Sequence, residues 1–130
     1  MKLLLDTHAF LWMLNDDYAA LRGKNAEKLF LDGNNHLFFS MASVWEMAIK
    51  AKLGKLDLKQ PLEHFIPEQL AANGIQLLEI QLNHVLKTMT LPFHHRDPFD
   101  RLIIAQAQVE QMTLLSVDTI FTAYDVKLVW

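Results

Sequence analysis

Short apolar runs alternate with longer helical stretches along this chain: Lys2–Leu5, Leu37–Phe39, Ile75–Ile80, Thr113–Val117 and Lys127–Trp130 are the runs. Runs this short and this uniformly apolar suit strands buried on both faces, the habit of a parallel sheet. Parallel neighbours need crossover connections of about a dozen residues or more, and most of the intervening stretches have that length and helical periodicity. The alternation predicts an α/β chain whose central parallel sheet is covered by helices on both faces.

The helical stretches have readable ends. Thr7–Leu14 follows the first run, with Leu11 and Trp12 expected on its buried side, and Ala19–Leu31 reads as one or two helices stopped by Asp32-Gly33. Ser43–Leu53 carries Val44, Met47, Ala48 and Ala51 at core spacing and stops at Gly54. Pro61 opens a helix expected to kink at Pro67 and close at Asn73-Gly74, and Asn83–Met89 is a short one. Asp97-Pro98 is a cap acid followed by proline at the first position of another helix, which carries Phe99, Leu102, Ile103 and Ala107 on one face. With no linker, repeat or low-complexity tract in view, residues 1–130 are expected to form a single domain.

Composition narrows the chemistry. There is no cysteine, which removes disulfides, thiolate metal sites and a cysteine nucleophile. Leu3-Leu4-Leu5 is too short for a secretory core or a membrane span, so a cytoplasmic protein is expected. The formal net charge of −3 weighs mildly against nucleic-acid binding. Committing four of the 15 acids to a metal site would leave 11 against 12 Lys plus Arg, so global charge does not decide the matter.

Four acids stand where apolar runs end or helices begin: Asp6, Glu46, Asp100 and Asp118. Each alone has an ordinary structural explanation. Asp6 and Asp118 can cap the turns after them, Ser43-x-x-Glu46 matches a capping box, and Asp100 suits a helix dipole. Taken together they differ, because ligands of parallel sheets bind beyond the carboxyl ends of the strands, where this alternation gathers all four. Acids held that close repel unless a cation neutralises them, which is how Mg²⁺ or Mn²⁺ is held against a phosphate ester.

Several residues are supporting candidates. Ser43, Glu46 and Lys50 lie within roughly 60° of one another on a helical wheel. Asp97 is read as the cap and Asp100 as the ligand, with Asp97 held in reserve. Lys50, with Lys52, Lys55, Lys59, Arg96 and Arg101, is a candidate phosphate-facing rim. The adjacent His94-His95 lack the spacing of a helical zinc pair and receive no catalytic role, and neither does His8.

Leu4-Leu5-Asp6-Thr7-His8, Ser40-x-x-Ser43-x-x-Glu46, His95-Arg96-Asp97-Pro98-Phe99-Asp100-Arg101-Leu102-Ile103-Ile104-Ala105 and Leu115-Ser116-Val117-Asp118 together resemble the PIN-domain family. The likeness is to its VapC-type toxin ribonucleases and spans nearly the whole chain. It implies a three-layer α/β/α sandwich and an endoribonuclease using Mg²⁺ or Mn²⁺. Asp6, Glu46, Asp100 and Asp118 would match the family's acidic positions, and Ser116 its small hydroxyl before the last acid. The resemblance also implies a homodimer and a small antitoxin partner. Two rivals stand beside it: a catalytically weak module of the same fold that binds RNA or protein, and a metal-dependent phosphatase. The phosphatase would want a second aspartate two residues after Asp6, where this chain has His8.

Overall fold

The computed structural model describes residues 1–14 and 23–130. Its centre is a five-stranded sheet in the order β3-β2-β1-β4-β5, parallel throughout, built from β1 (Lys2–Leu5), β2 (His36–Ser40), β3 (Ile75–Leu78), β4 (Thr113–Leu115) and β5 (Leu128–Val129). Among the described residues six α-helices accompany it: α1 (Thr7–Leu14), α2 (Asn25–Leu31), α3 (Met41–Lys52), α4 (Leu62–Asn73), α5 (Leu82–Lys87) and α6 (Pro98–Glu110).

The leucines of β1 show why both faces are covered. Leu3, Leu4 and Leu5 are all fully buried, and successive side chains of a strand point to opposite faces. Leu3 and Leu5 join Phe10, Phe39, Met47, Phe65 and Leu115 on one side; Leu4 joins Ile103, Ile104, Leu114 and Phe121 on the other. Phe10 stacks on Phe39 with ring centroids 3.9 Å apart, fixing α1 over the first layer. The expected α/β/α sandwich is the observed one.

The elements differ from expectation mainly at their ends. β2 is one residue longer at each end than the apolar run, while β3, β4 and β5 are shorter than theirs, because pairing stops where the neighbouring strand leaves the sheet. On α1 the buried residues are Thr7, Ala9, Phe10 and Met13; Leu11 and Trp12 are only half-buried, and Trp12 meets Trp130 edge-on at 5.3 Å. Of the helix read over Ala19–Leu31, residues 19–22 lie outside the described residues, and Asn25–Leu31 is helical.

α3 begins at Met41, two residues before the expected start. Its cap is Ser40, whose hydroxyl accepts the Ala42 N–H at 3.0 Å, so Ser43 and Glu46 form no capping box. The buried face of α3 carries Ala42, Ser43 and Met47, and Ala48 and Ala51 are exposed. α4 runs unbroken through Pro67. The carbonyl four residues earlier belongs to exposed Glu63, so the hydrogen bond that proline forfeits is open to water. α5 ends at Lys87 and tightens into a 3-10 turn over Thr88–Thr90.

The strand order places the switch point between β1 and β4: from β1 the chain builds outward to β2 and β3, then returns to β4 and β5 on the other side. A crevice therefore opens beyond the carboxyl ends of β1 and β4.

Candidate metal centre

Asp6 is the first residue past β1, and its N–H still reaches Leu115 O of β4 at 3.2 Å. Its side chain is 4% exposed, which would be prohibitive for a lone carboxylate, so its partners matter. Oδ1 accepts the Ala9 N–H at 2.7 Å, capping α1, and Oδ2 accepts the hydroxyl of Ser116, 110 positions away. Asp6 is thus both a cap and a member of the crevice. Burial raises its carboxyl above the usual range, and the charge of Asp118 adds to that. The bonds from Ser116 and Ala9, with nearby His8, pull the other way.

β4 delivers Ser116 and Asp118 to the same edge. The Ser116 hydroxyl also accepts the Asp118 N–H at 3.0 Å, so one buried hydroxyl ties the last acid to the first. Asp118 Oδ1 caps the following 3-10 turn through the Ile120 N–H at 3.1 Å, and its side chain is exposed.

Glu46 reaches the crevice from α3. Oε1 accepts the Thr7 hydroxyl at 2.8 Å, and Oε2 lies 3.3 Å from Lys50 Nζ. Ser43, one turn earlier, is fully buried, and its hydroxyl has no hydrogen-bond partner among the described residues.

α6 contributes Asp97 and Asp100 at its start. Asp97 Oδ1 accepts the N–H groups of Phe99 at 2.8 Å and Asp100 at 3.3 Å, so Asp97 is the cap. Asp100, one turn inward, feels the charges of Asp97, Glu46 and Asp6. Its carboxyl is pushed up to about 7, first by burial, then by the charges of Asp97, Glu46 and Asp6, with His95 opposing them. A carboxylate so disfavoured is what an acid cluster becomes without a cation.

Two residues here were missed by reading the sequence. Thr7 was seen only as part of a motif, yet it is the link from β1's end to Glu46. His95, given no role, has Nε2 2.8 Å from Asp100 Oδ2, and among the described residues one ligand atom each of His95, Asp100 and Asp118 lie within 4.8 Å of one another. Its place two residues before a cap acid was the available signal.

Arg101, expected at a phosphate-facing rim, is buried instead. Its guanidinium donates to the carbonyls of Thr88, Leu91, Pro92 and His95 at 2.9–3.3 Å and stacks 4.3 Å from the centre of the Phe93 ring. The reason is local: residues 88–95 pass over α6 with few bonds of their own, and a forked five-donor group closes them down.

Asp6, Glu46, Asp100 and Asp118 would offer only carboxylate oxygens to a cation; Asp6 is deeply buried, and burial followed by neighbouring acids pushes Asp100 up to about 7. That chemistry fits a hard divalent cation such as Mg²⁺ or Mn²⁺. Beside the acids lies a pocket of about 470 Å³, lined by Glu46, Lys50, Arg96, Asp97 and Phe99 among others.

A model of the PIN domain family matches residues 3–127. No curated protein matches the chain. Among solved structures, it is similar to VapBC2 from Rickettsia felis bound to a DNA fragment from its promoter, with a TM-score of 0.71 and 19% identity over 98% of this chain and 97% of that one. VapBC-1 from nontypeable Haemophilus influenzae gives 0.64 and 20% over 98% and 96%, and FitAcB from Neisseria gonorrhoeae 0.61 and 19% over 97% and 95%. At such identities the structures testify to the fold, and the family model testifies to descent over nearly the full length. By the match over residues 3–127, the chain belongs to the PIN-domain family.

Proposed function

We propose that this chain is a divalent-metal-dependent endoribonuclease of the VapC type, the toxin of a toxin–antitoxin pair, with Asp6, Glu46, Asp100 and Asp118 as its catalytic and metal-binding acids. The observation that carries this reading is the Asp100 carboxyl at the switch point, pushed up to about 7 first by burial and then by the charges of Asp97, Glu46 and Asp6. PIN-domain membership and the likeness to toxin–antitoxin complexes support it.

The cation, Mg²⁺ or Mn²⁺, supplies Lewis acidity toward water and the phosphodiester. The chain's own groups do the rest. Ser116 fixes Asp6 and Asp118 relative to each other, Thr7 fixes Glu46, and the Asp97 cap sets the start of α6 and so the place of Asp100. Lys50 and Arg96 line the neighbouring pocket and offer positive charge along an RNA backbone. The work is positioning and electrostatics.

The partners of this reading are an antitoxin and a second copy of the chain. Apolar side chains available to such partners stand exposed along α3, at Trp45, Ile49 and Leu53, and from α5 onward, at Leu82, Leu86, Met89 and Phe93. Among the described residues no helix is long and apolar enough to cross a membrane, which is compatible with action on RNA in the cytoplasm.

The test is a Mn²⁺-supplemented cleavage assay on structured and unstructured RNAs. Asp6→Asn and Asp100→Asn should fold and lose most activity, while Asp97→Asn, a competent cap, should keep it. Cleavage by Asp6→Asn at the wild-type rate would reject the site.

A further inference from the structure

His95 is the side chain at the acid cluster that the carboxylate chemistry leaves unused. Its Nε2 is buried and, although 2.8 Å from Asp100 Oδ2, is off the direction of a hydrogen bond and makes none among the described residues. The other ring nitrogen, Nδ1, accepts the backbone N–H of Asp97 at 3.3 Å. A neutral imidazole has one donor and one acceptor nitrogen, so an accepting Nδ1 leaves the hydrogen on Nε2. His95 therefore offers a donor to the space it shares with Asp100 and Asp118, where a metal ligand would need a lone pair.

The loop that carries this donor is held from several sides. The His95 N–H donates to the Tyr124 hydroxyl at 2.7 Å, that hydroxyl donates to Pro92 O at 2.8 Å, and Arg101 donates to His95 O at 3.3 Å. The ring itself leans on Phe121 at 6.1 Å between centroids. Arg101, the cation nearest in sequence to Asp100, is committed to carbonyls, while Lys50 and Arg96 line the neighbouring pocket. A pre-placed N–H that contacts the Asp100 carboxylate without an aligned hydrogen bond is suited to an acceptor brought by the substrate.

We propose that His95 Nε2–H donates a hydrogen bond to a non-bridging oxygen of the phosphodiester phosphate when RNA enters the acid cluster. The inference rests on the nuclease reading. It assigns His95 to the substrate rather than to the cation.

The experiment compares wild type, His95→Ala and His95→Gln, the last of which restores a side-chain N–H. On an RNA that the wild type cuts, His95→Ala should lower kcat on the order of 10²-fold with little change in KM, and His95→Gln should recover at least about tenfold of that. Mn²⁺ binding, titrated by electron paramagnetic resonance, should stay within about twofold of wild type in both variants. Sulfur in place of one non-bridging oxygen at the cut bond, assayed in Mn²⁺, should slow the wild type for one diastereomer and not slow His95→Ala.

Mn²⁺ binding that collapses in His95→Ala would overturn the proposal in favour of a role toward the cation or Asp100. So would unchanged kcat in that variant, or a wild type indifferent to sulfur in both diastereomers, a result that needs no substitution. A wild type that neither binds Mn²⁺ nor cuts RNA would instead remove the nuclease reading itself.

Discussion

The Thr7 hydroxyl donates to Glu46 Oε1 at 2.8 Å although the residues are 39 positions apart, and this bond joins the end of β1 to α3. Thr7→Val keeps the shape and removes the donor. Stability should fall by about 1 kcal/mol, the usual worth of such a bond, and Mn²⁺ affinity by roughly tenfold, because a carboxylate with one support gone reaches the ion less often. Denaturant unfolding and calorimetric titration measure the two effects separately, and unchanged ion affinity would show that Lys50 alone holds Glu46.

The arrangement behind that bond was partly written in the sequence. Leu3-Leu4-Leu5 announced a doubly buried strand because its period is neither that of a helix nor that of a half-exposed strand, and Asp97-Pro98 announced the start of α6 through chemistry confined to neighbours. Ser40 and Ser43 could not be told apart in the same way: both offer a hydroxyl, and the choice of cap depends on where β2 stops pairing. Arg101 was misread because surface and buried arginines look alike in a sequence. Only the fold of residues 88–95 over α6 supplies the carbonyls that bury it. The tautomer of His95 depends on a backbone N–H two residues on and on the turn between them, which no pattern of side chains encodes.

Asp6 and Asp100 make stability depend on pH in a direction set by their raised carboxyls. Both hold a proton more tightly folded than unfolded, so the folded chain is favoured in acid and loses that advantage as pH rises, for Asp100 from about 4 through about 7. Without metal, the melting temperature should therefore fall between pH 5 and pH 8, and Asp100→Asn should flatten the decline. Excess Mn²⁺ should restore the loss by mass action, about 2.7 kcal/mol at 100 times Kd. Melts that rise with pH in EDTA would contradict the clustering of the acids.

Arg101 holds the loop that carries His95, and this can be tested apart from any chemistry. Arg101→Lys keeps the charge but not the fork, so it cannot reach all four carbonyls. The expected cost is about 2–4 kcal/mol in urea unfolding, as befits a buried charged donor whose acceptors lose their partner. Hydrogen exchange should quicken at the His95 amide, which rests on the Tyr124 hydroxyl, before it quickens in β1. Equal loss of protection in both places would mean that the clamp supports the whole domain rather than this loop.

Lys50 separates the surface contribution from the buried one. Its ammonium is half-exposed and lies 3.3 Å from Glu46 in an i,i+4 pair, a geometry worth at most about 0.5 kcal/mol in water. Lys50→Met should therefore leave the unfolding midpoint almost unmoved. It also lines the pocket beside the acids, together with Arg96, where an RNA backbone would pass under the nuclease reading. Removing one phosphate contact should weaken RNA binding and reduce the slope of log K against log salt by about 0.7–1. Filter binding across a salt series, in Ca²⁺ to limit cleavage, gives that slope directly. A variant that loses stability yet keeps the wild-type salt dependence would assign Lys50 to Glu46 and remove it from the nucleic-acid surface.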